Sequence, residues 1–124
     1  MLAIGWLAEG NLAEAQRAIA RADKRLRITE DRLIRLSGGI AAARVRAAVS
    51  GSTAEARREL DALSREADGL SAVALAFEAR LALGEIEMRT GDASTGRARL
   101  TALEREAAAK GFVSLARRAA AAAR

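Results

Sequence analysis

With 124 residues the chain has room for one domain and a modest core. It contains no proline, cysteine, histidine or tyrosine, which removes disulfides, Cys/His metal sites and His-based acid–base or nucleophile activation. The net charge of +5 is unevenly spread: residues 1–50 carry 9 basic and 5 acidic groups, 51–100 carry 7 and 9, and 101–124 carry 5 and 2, so basic ends flank a mildly acidic middle.

The composition is 51% hydrophobic but only 2% aromatic, and much of the apolar content is alanine. Alanine, leucine, arginine and glutamate are good helix formers, so the expected elements are all helices. A first helix is predicted over about 2–9, ending at Gly10. A second follows over about 12–27. A third, about 30–49, opens at Thr29 and has a soft spot at Gly38-Gly39. A fourth, about 53–67, is stopped by Gly69. A fifth, about 71–90, is opened by Ser71. A sixth, about 93–109, is stopped by Gly111, and a seventh covers about 112–123. No run alternates apolar and polar residues as a strand does. The opening MLAIGWLAEG lacks the basic start of a secretory leader, and no stretch approaches the roughly 20 apolar residues that span a bilayer. A cytoplasmic protein with no membrane contact is the expectation.

Three joints repeat one another: GNLAEAQRAI at 10–19, GSTAEARREL at 51–60 and GDASTGRARL at 91–100. Each glycine is followed by a residue suited to a helix N-cap, Asn11, Ser52 or Asp92. Ser52 with Glu55 makes a capping-box pattern, and Asn11 with Glu14 a close variant. Small residues recur at Ala15, Ala56 and Gly96, and large aliphatic ones at Ile19, Leu60 and Leu100. The period is about 40 residues. A helix pair of that size buries its apolar face only by stacking on its neighbours, so the expected fold is an all-α, right-handed α-solenoid of antiparallel helix pairs with about seven helices. It divides into units at about 1–28, 29–70 and 71–111, with a closing helix at 112–124. In this register Ala56 faces the partner helix, and Arg57 turns about 100° away from that contact, so that replacing it by alanine is expected to change stability by only about 0.5 kcal/mol or less.

The joints resemble those of the tetratricopeptide repeat. Gly10-Asn11-Leu12-Ala13-Glu14-Ala15 matches that family's turn and the alanine of its second helix, and Leu83-Gly84 precedes Gly91-Asp92 by the family's spacing. Longer repeats of this kind are similar to the C-terminal segments of large bacterial regulators. The resemblance implies a non-catalytic module for protein–protein interaction or scaffolding, a C-terminal piece of a larger regulatory protein, without cofactor or metal. Its partner is then another protein or peptide, or other domains of the parent chain. The apolar start MLAIGWLA adds the expectation of a homo-oligomer through the N-terminal end.

Two sets of site residues follow. Family groove positions carried onto this chain are Glu78, Leu81, Glu85, Met88 and Arg89 from one helix, and Gly38, Ala41, Val45 and Ala48 from another. The resemblance implies an apolar floor with two carboxylates that receives a helix or an extended peptide. The alternative site is a basic strip, Arg17, Arg21, Lys24 and Arg25, continued by Arg32 and Arg35, that meets nucleic acid or another anionic partner. No aromatic residues interleave this strip to stack on bases. GDASTG lacks the lysine and the preceding strand of a phosphate loop, and is read as turn and cap.

Overall fold

The computed structural model describes residues 9–49 and 51–124. It is all-helical, with five helices among the described residues: α1 (Glu9–Val49), α2 (Thr53–Gly69), α3 (Val73–Arg89), α4 (Ala93–Ala109) and α5 (Val113–Ala122). No strand occurs among them. The helix expected at 2–9 lies almost wholly outside the described residues.

The second and third expected helices are one. α1 runs for 41 residues without a break, so neither Gly10-Asn11 nor Thr29 reverses the chain. Local chemistry explains the continuity. A glycine inside a helix costs only about 1 kcal/mol relative to alanine. Thr29 ties its hydroxyl to the Arg25 carbonyl one turn back, at 3.0 Å, and so is satisfied inside the helix rather than capping a new one. Glu30 and Asp31 follow it and are also helical.

The chain forms two compact units, residues 1–34 and 35–124. The described part of the first is the N-terminal portion of α1, where Ile19 is 62% exposed. The second unit holds the core. In it α2 packs on α3, α3 on α4 and α4 on α5, and α3 also touches α5. One apolar cluster joins Ile40, Ala43 and Ala47 of α1 to Ala56 and Leu60 of α2 and to Ala79, Leu83 and Ile86 of α3. A second joins Phe77 and Leu81 of α3, Leu100 and Leu103 of α4, and Leu115 and Ala119 of α5. Phe77 and Phe112 meet edge to face, centroids 5.4 Å apart.

The joints of this unit repeat every 20 residues, half the spacing read from the sequence. Gly51, Ser71, Gly91 and Gly111 all have positive φ. The left-handed conformation reverses the chain after each helix, and glycine adopts it most readily. The stop expected at Gly69 is therefore displaced: Gly69 is still helical, and Ser71 makes the reversal at φ 57°. At 67–72 and 107–112 the same two bonds close the helix end. The Ala72 and Phe112 amides donate to the Ala67 and Ala107 carbonyls, both at 2.8 Å, and the Ser71 and Gly111 amides donate to Asp68 and Ala108, at 3.0 and 3.1 Å.

Each next helix then starts alike. The amides of Ala56, Ala76, Gly96 and Ala116 donate to the carbonyls of Ser52, Ala72, Asp92 and Phe112. All four small residues are buried; of the three small positions expected to meet a partner helix, Ala56 and Gly96 are among them, whereas Ala15 is only half-buried and lies in the first unit. The α3–α4 contact is tight at its glycines. A Cβ on Gly84 would lie 2.6 Å from Leu100, and one on Gly96 would lie 3.0 Å from the Gly84 carbonyl oxygen and the Met88 amide.

Candidate functional site

The face of the second unit built by α1, α3 and α5 collects part of the expected groove. Residues half-buried on α3 by one-sided packing supply two carboxylates, Glu78 and Glu85. The arginines that meet them come from the neighbouring helices. Arg118 of α5 grips Glu78 through two bonds, at 2.7 and 3.2 Å. Arg44 of α1 pairs with Glu85 at 3.2 Å and lies 3.7 Å from Glu78. The hydrogen bond from Arg118 to Glu78 holds its guanidinium pKa above the usual arginine value, against the opposing effect of partial burial. Arg44 Nη2 is buried yet has no hydrogen-bond acceptor in reach.

Two clefts flank the Glu78–Arg118 pair and share both residues. One, about 350 Å³, lies against Ile40, Ala41, Arg44 and Leu75. The other, about 410 Å³, lies against Ala74, Phe112, Val113 and Leu115. Each thus has an apolar floor and an ionic wall.

The remaining groove residues divide. Ala41 is exposed and lines the first cleft. Leu81 is fully buried in the core, and Met88 packs beside it, so neither forms a groove floor. Arg89 is exposed at the end of α3, while Gly38, Val45 and Ala48 are exposed on α1. The basic-strip residues Arg17, Arg21, Lys24 and Arg25 are all exposed and belong to the first unit. Arg35 belongs to the second unit, where it pairs with Glu66 at 3.0 Å.

A second charged cluster, absent from the sequence reading, sits between α2, α3 and α4. Glu87 is 1% exposed. Arg99 donates to both its oxygens, at 2.7 and 3.2 Å, and Arg57 donates to one of them at 3.0 Å. Arg57 also reaches Asp92, at 3.2 Å. The expectation that Arg57 stands apart from the contact and matters little is therefore corrected: the arginine next to the small residue Ala56 reaches the buried carboxylate of α3. Asp92 heads α4 as its N-cap residue but makes no side-chain cap bond, its carboxylate being taken by Arg57. The cluster borders an open cleft of about 440 Å³ that also includes Ala54, Arg58, Asp61 and Leu83. In the 20-residue register Glu87 falls where Ala67 and Ala107 stand. A charge in a small apolar slot was the signal that could have found it.

Among the described residues no group of acidic side chains is placed to hold a metal ion, and no helix is long and apolar enough to cross a membrane. No family model, curated protein or solved structure matches the chain.

Proposed function

We propose that the protein is an interaction module whose residues 35–124 belong to a right-handed, tetratricopeptide-like solenoid, and that the α1–α3–α5 face receives a segment of another protein. The observation that carries this reading is the pair of apolar clefts sharing the Glu78–Arg118 ion pair. Apolar floors take aliphatic side chains, and the ionic wall between them fixes register, as in recognition by a groove. The arginines of this face are engaged by carboxylates, so the face offers complementarity without a strong net charge. The module acts by binding, within a larger bacterial regulatory protein of the cytoplasm, and carries no catalytic role.

The test uses Val113, which is 54% exposed and lines one cleft. Partners retained by the immobilised protein from its source cell are expected to be lost with Val113→Glu, at an unchanged melting temperature. Their affinity should vary little with salt. A steep log–log fall of affinity with salt, abolished by replacing Arg17, Arg21, Lys24 and Arg25, would instead establish the anionic-partner reading.

A further inference from the structure

We propose that the open cleft between α2, α3 and α4 is a binding site for a carboxylate carried on a short apolar stem. Arg57, Arg58 and Arg99 are the residues that bind it, and Glu87 positions two of them. The site lies among other residues than the groove and does not depend on the groove reading.

The starting point is a charge that packing does not need. Positions 47, 67, 87 and 107 share one slot of the 20-residue register, and all four are buried; three hold alanine, and Glu87 alone carries a charge. Burying a carboxylate costs desolvation that an alanine in the slot avoids, and breaks in a local pattern are expected where a protein does its work. Arg57 from α2 and Arg99 from α4 both donate to Glu87 Oε2, at 3.0 and 3.2 Å, and Arg99 Nε donates to Oε1 at 2.7 Å. Two guanidinium groups from different helices thus meet on one carboxylate, which offsets their mutual repulsion and fixes both against the cleft.

Neither arginine is used up. Glu87 takes Nε and Nη2 of Arg99, and Glu87 and Asp92 share Nη2 of Arg57, so Nη1 of each is open to a further acceptor. Arg58, the next residue on α2, lines the same cleft, is exposed and has no ion-pair or hydrogen-bond partner among the described residues.

Charge complementarity sets the ligand. Asp61, the other carboxylate of the lining, is paired with Arg65 at 2.7 Å. Arg57, Arg58, Arg65 and Arg99 set against Asp61, Glu87 and Asp92 leave one positive charge, which a carboxylate cancels and a phosphate dianion exceeds. The forked donors of a guanidinium match the two oxygens of a carboxylate. Ala54 and Leu83 give the stem an apolar wall, and the volume of about 440 Å³ suits a small group.

Titration of the isotope-labelled protein, followed by NMR at pH 7 and constant low ionic strength, tests the site. The probes are butanoate, N-acetylglutamic acid α-N-methylamide with its side-chain carboxylate free, and inorganic phosphate. At least one carboxylate probe should shift the side-chain signals of Arg58 and Arg99 saturably, with a midpoint at about 10 mM, while those of exposed Arg17 and Arg21 drift without saturating. Saturation by both carboxylates supports a free acid as the ligand, and saturation by the glutamate amide alone supports an acidic side chain of a protein. Arg58→Gln should weaken the carboxylate by about fivefold or more at an unchanged melting temperature. Glu87→Gln takes one negative charge from the site, and should shift the preference toward phosphate by about fivefold; a Glu87 that only ties helices together leaves that preference where it was. Because Arg58 has no partner in the fold, its variant reads the site even if Glu87→Gln unfolds. The proposal is overturned by phosphate binding more tightly than both carboxylates to the wild type, by Arg58 and Arg99 signals that saturate with neither carboxylate, by affinity that survives Arg58→Gln, or by a folded Glu87→Gln variant with unchanged preference.

Discussion

Gly84 and Gly96 set a close approach between α3 and α4, and substitution there separates space from propensity. Alanine is the better helix former at any helical glycine. At Gly84, however, the new methyl would overlap buried Leu100, and at Gly96 it would press on backbone atoms of α3. Gly84→Ala should therefore destabilise by about 1–3 kcal/mol. Gly69, with nothing within 4 Å of its Cβ position, should gain about 0.5 kcal/mol as alanine. Denaturant midpoints for the two variants must move in opposite directions. Ala56→Leu, at a position with no exposure, belongs with Gly84→Ala and should also cost about 1–3 kcal/mol. A titration adds an independent check. The hydrogen bond from Arg80 holds Glu106 below its usual pKa. A depressed carboxylate pKa contributes stability that is present above the unfolded-state value, about 4.3, and is lost as pH falls through the lowered folded value. Because Glu106 is half exposed, the contribution is at most about 1 kcal/mol. Arg80→Ala should lower the melting temperature at neutral pH, and part of that loss should vanish below about pH 4. The remainder reflects Arg80 lying 5.6 Å over the Phe77 ring.

The helices of residues 53–122 were legible because glycine, cap and small residue occur together at Gly51-Ser52 and Gly91-Asp92. The intervening joint was placed less well because Ser71 does what glycine does at the others, while Gly69 two residues earlier imitates a stop. Serine in the left-handed region is strained by about 1 kcal/mol or more relative to glycine. Ser71→Gly should therefore raise stability by about 0.5–1 kcal/mol, less than the strain because glycine also frees the unfolded chain. A thermal melt of that one variant decides the matter. The long α1 was misread for the converse reason. Gly10-Asn11 looks like the other joints, but spacing alone does not state whether a glycine will leave the helical region. The alanine-rich sequence around it favours helix on both sides, and without proline nothing forbids continuity. The two carboxylates of the groove were found from their register. Their partners Arg44 and Arg118 were not, because they come from helices 34 or more positions away, and pairing at that range is set by packing.

In the second unit as a whole, the buried charge at Glu87 decides how α2, α3 and α4 are held in register. Ala67 and Ala107 show that the same slot closes well with a small apolar side chain, so the carboxylate is not needed to fill space. Its two arginines approach from different helices, Arg57 from α2 and Arg99 from α4, and the ion pairs therefore bridge two interfaces at once. Desolvating such a cluster offsets much of its attraction, so replacing it as a whole costs little, whereas leaving the charge without partners is expensive. Removing one arginine leaves Glu87 with the other, and each single change, Arg57→Ala or Arg99→Ala, should cost about 1–3 kcal/mol. Arg99→Ala should be the larger, because Arg99 supplies two bonds and Arg57 one. The double variant should cost more than the sum, by about 1 kcal/mol or more, since only then is the buried carboxylate stranded. Adding Glu87→Met to that double variant should restore most of the loss. A chemical-denaturation cycle over these variants measures the coupling directly. If the double loss is merely additive and Glu87→Met restores nothing, the cluster is three independent contacts rather than one shared lock, and the register of the three helices rests on the glycine contacts alone.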